Sequence, residues 1–376
     1  MFKIKKQINL LYITSMLGNL SVTGAWVAIL AVRGFSLVEI GIAETVFHIT
    51  SLIFEIPSGI LADRYGRKRM LMVSHIMAVI GNLIMVFSKG LGLVCLSFVF
   101  HALNYNFASG SGDALAYDSL KSVNEEDKYE AYFSNQMIIY RIGSGISTLC
   151  AGMAFWMGYQ MAYFVSALTH VVTMVVTSGL VEIKIDEKTQ EKNSEGNPTN
   201  AIGIICQMIS GMAKHFIESI RFLKRNGRAT RLMFANSFVG AIDVLLLFFL
   251  QAKLTSVGLA DWRLGIALLI MELGGIVGSR IILKAKAVRY IKIYMMCGLG
   301  VGAGVLLEHS GLIVIMVLGG VLSAMADDAL QVRTDALLQD MFPSEQRATL
   351  ISMSSFTFSV IMIVLSPLAG YFFSIW

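Results

Sequence analysis

Apolar blocks of about 20 residues recur along the whole chain, each flanked by short polar or charged stretches. A helix rises about 1.5 Å per residue and a bilayer core is about 30 Å thick, so each block is long enough to cross a membrane. The pattern predicts eleven membrane helices, over roughly 8–32, 37–61, 70–88, 91–119, 134–156, 158–181, 229–253, 259–283, 288–307, 310–336 and 347–374. The one long polar stretch is 182–228. Its first part, Asp186 to Asn200, lacks aromatics and reads as a linker. Its second part, Ile202 to Arg225, repeats Ile205, Met208, Ile209, Met212, Phe216, Ile220 and Leu223 at helical spacing. Lys214, Glu218, Arg221 and Lys224 lie between them, which predicts a basic amphipathic helix along a membrane surface, or a plain connector.

Composition agrees with an all-α membrane protein. The 376 residues are 56% hydrophobic and only 15% charged, too few charges to coat a soluble domain of this length. Lys and Arg set the orientation. One set of loops holds Lys3, Lys5, Lys6, Arg64, Arg67, Lys68, Arg69, Lys121, Lys128, the basic residues from Lys184 to Arg231, and then Arg280, Lys284, Lys286, Arg289, Lys292, Arg333 and Arg347. The opposite loops hold only Arg33, Lys89, Lys253 and Arg263. By the positive-inside rule the N-terminus and the loop after the second span are cytoplasmic, in a multi-pass cell membrane protein. The Met1–Lys6 start reads as the lead-in to a retained first helix. The net charge of +5 sits in short loops between apolar spans, so nucleic acid is not an expected partner. Cys95, Cys150, Cys206 and Cys297 are far apart, and the histidines are scattered. No metal or cofactor is expected, and no catalytic cluster or phosphate loop points to an enzyme.

The halves echo each other. Tyr117-Asp118-Ser119-Leu120, at the end of the fourth span, is similar to Thr334-Asp335-Ala336-Leu337 at the end of the tenth. The division predicted is 1–181 as an N-terminal six-helix bundle, 182–228 as a cytoplasmic linker, and 229–376 as a five-helix C-terminal bundle. Polar residues inside spans default to a functional reading, because each costs free energy in lipid. Asn19 shares a face of the first span with Ser15, Thr23 and Trp26. Asp113, Arg141, Asp243, Glu272, Asp327 and Asp328 are the ionisable candidates for substrate or proton binding. Asp243 shares a face with Asn236 and Gly240. Glu55, Asp113 or Asp118 could neutralise Arg141, and each acid could instead serve as an interhelical hydrogen-bonding group.

The segment Gly59-Ile60-Leu61-Ala62-Asp63-Arg64-Tyr65-Gly66-Arg67-Lys68-Arg69 resembles the Major Facilitator signature and falls in the loop between the second and third spans, where that signature belongs. A decayed copy, Gly278-Ser279-Arg280, follows the eighth span. The resemblance implies a Major Facilitator fold of two six-helix-type bundles with the last, twelfth, helix missing. The 30 residues from Arg347 to Trp376 cannot hold two crossings, which predicts an extracellular C-terminus. It further implies that Gly59, Asp63, Arg64, Gly66, Arg67, Lys68 and Asp118 form a gating network. Asp63 and Arg67 would be ion-paired and Asp118 joined to their relay. Spans one, four, seven and ten would line a cavity. Drug-antiporter motifs of the fourth and fifth spans are not matched, since His101–Asn106 has no Arg and Arg141–Gly145 has no Pro. The function implied is secondary active transport, as proton-coupled export of a small amphipathic compound by a monomer in the bilayer. Nutrient uptake by the same fold and a non-transport membrane assembly protein are the alternatives.

Overall fold

The computed structural model describes residues 4–183, 201–285, 287–341 and 347–375. The linker stretch read as 186–200 lies outside the described residues. The described chain is helical, in the order α1 (Ile4–Asn19), α2 (Trp26–Val32), α3 (Leu37–Tyr65), α4 (Arg67–Phe87), α5 (Leu91–Ala108), α6 (Ser111–Lys121), α7 (Tyr129–Leu149), α8 (Met153–Met157) and α9 (Tyr159–Ser178). It continues with α10 (Ala201–Arg225), α11 (Gly227–Ser256), α12 (Trp262–Ile281), α13 (Tyr290–Glu308), α14 (Ile313–Met341) and α15 (Arg347–Ile375). Ten helices among the described residues are long and apolar enough to cross a membrane. Their large exposed side chains are apolar, among them Leu93, Val175, Met296, Leu299 and Val364, which suits lipid rather than water.

The first predicted span differs from expectation. It is not one helix over 8–32 but α1 and α2, separated by residues 20–25. The run Ser21-Val22-Thr23-Gly24 consists of weak helix formers. The Ser147 hydroxyl, from α7, satisfies the broken backbone: it donates to the Asn19 carbonyl (2.8 Å) and accepts from the Ser21 amide (2.8 Å). Thr23 and Trp26 therefore do not continue the helical face of Ser15 and Asn19. The fourth span is also divided, at Gly110, whose φ of +71° is a left-handed value open to glycine, and resumes as α6.

The loop carrying Gly66 defines one end of the helices, called here the motif face. Two compact units group the chain: Met1–Ser21, Thr50–Ser147 and Tyr163–Glu218 form one, and Val22–Ile49, Thr148–Ala162 and Ser219–Trp376 the other. In the first, Leu11, Leu71, Leu115, Leu120, Tyr132 and Leu180 make a buried core near the motif face. The amphipathic helix α10 belongs to this unit as far as Glu218, with Gly211 set against the Ile56 and Ile60 side chains of α3.

In the second unit, the ends of α2, α3 and the fifth span furthest from the motif face pack with α11 to α15. Val27, Ala28, Ile29 and Leu30 of α2 are buried, and Trp26 meets Phe248 edge-on (5.2 Å between ring centres). Helix α3 approaches α15 at backbone distance. A Cβ on Gly41 would sit on the Ser366 carbonyl, and one on Gly370 would sit on the Leu37 carbonyl. Pro367 has no N–H to bond the Ile363 carbonyl one turn back, and the Thr45 hydroxyl lies 3.2 Å from that oxygen. A second close pair lies on α12, where Gly265 abuts the Thr148 and Leu149 carbonyls, while Gly152 abuts Asp261 and Trp262.

Candidate functional site

Arg67 opens α4, and its guanidinium lies between two carboxylates. Nε is 3.2 Å from Asp118 and Nη2 is 3.9 Å from Asp63. The two contacts are unequal. The Asp63 side chain is 78% exposed and that of Asp118 only 12%. An exposed pair at 3.9 Å is worth little, whereas a shielded one keeps most of its attraction. Asp118 is therefore the stronger partner, although it is 51 residues away and Asp63 only four.

Gly66 precedes α4 with φ +99° and ψ 147°, a conformation essentially restricted to glycine. This bend aims the first amides of α4 at a carboxylate that sequence reasoning did not single out. Glu182, just beyond α9, accepts from the Arg67 amide (2.9 Å) and the Lys68 amide (3.0 Å), and a Cβ on Gly66 would collide with it. A carboxylate here satisfies two helix-start donors and complements the helix dipole. Lys68 reaches back to the Ser178 carbonyl (2.8 Å), closing α4 onto the end of α9. Gln7 adds a further tie, exchanging two bonds with Val181 (2.9 and 3.0 Å) and donating to Ser119 (3.3 Å). Gly59 meets no neighbour, and Arg64 lies over the Tyr65 ring at 5.8 Å.

Glu182→Ala should destabilise the protein by about 1–2 kcal/mol, the usual worth of a helix-start acceptor. Thermal unfolding of the purified protein in detergent reads it, and an unchanged midpoint would remove Glu182 from the network. In transport, Asp118→Asn should be more damaging than Asp63→Asn. Equal loss in the two would mean that Asp63 has a role its weak pair does not explain.

The membrane-embedded acids divide into two groups. Asp243 on α11 is buried, only 4% exposed, and its Oδ1 has no hydrogen-bond partner among the described residues. It faces the Ser323 hydroxyl of α14, and the Asp327 and Asp328 carboxyls share its field. Glycines make room for this cluster. Asp327 lies against Gly240 of α11, its Oδ1 3.2 Å from where a Cβ would be, and Asp328 occupies the Cβ position of Gly275 on α12. Close backbone approach of α12 to α14, at Gly274 on Val321 and Gly278 on Met325, holds the three helices together. The 236–240–243 face is thus turned to α14, with the Asn236 Oδ1 also unpartnered.

Glu272 is not part of this cluster. It is exposed and accepts from Thr148 at 2.8 Å. Asp113 begins α6 and lies near the Tyr129 and Tyr132 hydroxyls. Asn19 is occupied locally, donating to the Ser15 carbonyl (2.8 Å) beside Gly143. The side chain of Arg141 lies outside the described residues. A cavity of about 470 Å³ opens near the motif face, lined by Tyr12, Tyr132, Asn9, Asn135, Lys5 and Lys128. Tyr12 and Tyr132 stack within it at 5.2 Å.

Among the described residues, ten membrane-length helices, a charge-paired loop on one face and an acidic cluster around the buried Asp243 define a polytopic membrane protein. A family model described as Major Facilitator Superfamily matches residues 8–307, and the chain belongs to that superfamily, a family of membrane transporters. An uncharacterized MFS-type transporter of Bacillus subtilis (strain 168), YxaM, is 31% identical over 86 residues, which is 23% of this chain and 22% of that protein's length. The crystal structure of the nucleoside transporter NupG superposes with TM-score 0.73 at 15% identity, covering 97% of this chain and 90% of that one. That of a D-xylose-proton symporter superposes with TM-score 0.70 at 10% identity, covering 97% and 89%. At these identities the likeness is one of fold.

Proposed function

We propose that this chain is a proton-coupled secondary transporter of the cytoplasmic membrane that exports a small amphipathic compound. The motif face is cytoplasmic in this reading, and the chain works as a monomer of two bundles, 1–181 and 229–376, joined by 182–228. The observation that carries it is the Asp243–Asp327–Asp328 cluster. Carboxyl groups that share one field inside a bundle oppose one another's ionisation, which suits the cluster to taking up and releasing a proton as its surroundings become wet. The tyrosine-lined cavity near the motif face supports an amphipathic substrate, since aromatic rings offer apolar area while Asn9, Asn135 and Lys5 offer polar contacts. The basic face of α10 fits an anionic membrane surface.

Uptake is the second reading, favoured by the fold shared with a D-xylose-proton symporter. Proteoliposomes carrying an imposed proton gradient test both. Export predicts gradient-driven movement of a lipophilic dye that collapses with a protonophore. Uptake predicts proton entry on adding a sugar or nucleoside, without dye movement. No solute-linked proton movement in either assay would overturn proton coupling.

A further inference from the structure

Two buried ionisable side chains lie outside both sites described above. Glu44 and His48 are one turn apart on α3, each 8% exposed, with Oε1 3.3 Å from Nε2. They sit where α3 meets α15, between the Gly41–Ser366 and Gly370–Leu37 backbone approaches at the end and the Ser51–Asn106 hydrogen bond (3.0 Å) further in. The Phe47 and Phe358 rings stand edge-on to the imidazole, at 5.5 and 5.9 Å. We propose that Glu44 and His48 form a proton-binding site within this contact, and that α3 and α15 close on each other only when the pair holds one proton.

The charge balance carries the argument. With one proton, imidazolium and carboxylate neutralise each other at hydrogen-bonding distance, and the apolar contact can seal over them. Without it, His48 is neutral and Glu44 is a bare anion among aromatic rings, a buried charge with no compensation. Lys253, the one cation in the last turn of α11, the helix that packs on α2 and α15, lies in the field of Glu308. From Met353 to Ile375, α15 carries no Asp, Glu, Lys, Arg or His, and its one titratable side chain is Tyr371. Helix α2 carries none, and Arg33 beyond it lies over the Tyr159 ring at 4.0 Å. On α3 itself, Glu39 caps Ser36 (2.8 Å) at the helix start, and Glu55 lies two turns further in, in the field of Tyr105. On α5, His101 is turned towards Gly81 of α4. When α3 and α15 part, water from the side opposite the motif face reaches the pair. The proton then moves from that water to the imidazole nitrogen, and closure buries it. The proposal rests on the reading of the chain as a proton-coupled transporter, and adds a second proton whose place is the gate rather than the α11–α14 cluster.

The test measures the gate directly. Spin labels on Ile42→Cys of α3 and Ile375→Cys of α15, both exposed, report the opening between these helices in lipid nanodiscs from pH 5.5 to 8.5, with the four native cysteines replaced by serine. The expected result is a short-distance population at acid pH that gives way to a longer one as pH rises. Glu44→Gln removes the bare anion, so alkaline opening disappears; the remaining imidazolium makes the slope reverse. His48→Leu leaves the Glu44 carboxylate without its cation, so the short-distance population should shrink at acid pH. Tyr371→Phe, which removes the one titratable side chain of α15 from Met353 to Ile375, should leave the gate titration as in the parent. Alkaline opening that survives in Glu44→Gln, or a parent distance that ignores pH, would overturn the proposal. A normal gate titration beside an absence of proton-linked flux would instead count against the transport reading alone.

Discussion

Gly41→Leu is expected to reduce transport by about 100-fold or more while the protein still inserts in the membrane. The reason is geometric. At Gly41 even a Cβ would overlap the Ser366 carbonyl and approach Pro367 Cα to 2.9 Å. Neither is the movable end of a flexible side chain, so a leucine forces α3 and α15 apart. If this contact forms in each transport cycle, as the proposed α3–α15 gate requires, a wedge there holds the gate open. Gly265→Leu on α12 should do the same, because its neighbours are the Thr148 and Leu149 carbonyls. Gly41→Ala should fall between, costing part of the rate. Proteoliposome flux, normalised to the amount of folded protein by size exclusion, reads all three. Transport at the parent rate by Gly41→Leu would show that this contact is not part of the working cycle.

The second large effect is expected at Asp243. Asp243→Asn keeps the size and shape of the side chain but fixes its charge at zero. Gradient-driven transport should fall by about 100-fold or more, the scale on which a single positioned proton-transfer group matters. Exchange of substrate without a gradient should persist, since the helices still pack and the gate contacts are remote in sequence. Asp327→Asn should act in the same direction, because Asp327 and Asp243 share one field. Glu272→Gln should have the smaller effect, as that carboxylate is exposed and bonded to Thr148. If Asp243→Asn preserved both the rate and its dependence on the gradient, coupling would have to reside elsewhere, and the Glu44–His48 pair becomes the group to examine.

In the charge-paired loop, the motif residues were legible because they are close in sequence. Gly66 and Arg67 stand in the spacing of a known signature, and Asp118 follows by the same resemblance. Glu182 was not legible. It is 115 residues from Arg67, and nothing in Gly-Leu-Val-Glu-Ile distinguishes a carboxylate that caps a distant helix from one in a solvated loop. The membrane acids show the same limit. Asp243, Glu272, Asp327 and Asp328 looked alike as ionisable residues in apolar spans. Close approach to Gly240 and Gly275 groups three of them, and exposure beside Thr148 sets Glu272 apart.

The sequence by itself determined the class of protein. Apolar blocks of membrane length, sparse charge and the Gly59–Arg69 segment each depend on order along the chain, and a bilayer reads that order directly, because every crossing segment must satisfy its own backbone. Only the tertiary structure decided what those helices do to one another. It broke the first span at residues 20–25, where Ser147 supplies the missing backbone partners. It also set Gly41 on Ser366, and so turned Glu44 and His48 from an ordinary one-turn pair into a buried one. Helical period specifies which residues share a face. What that face meets depends on residues hundreds of positions away, and the cost of a charge follows from that meeting.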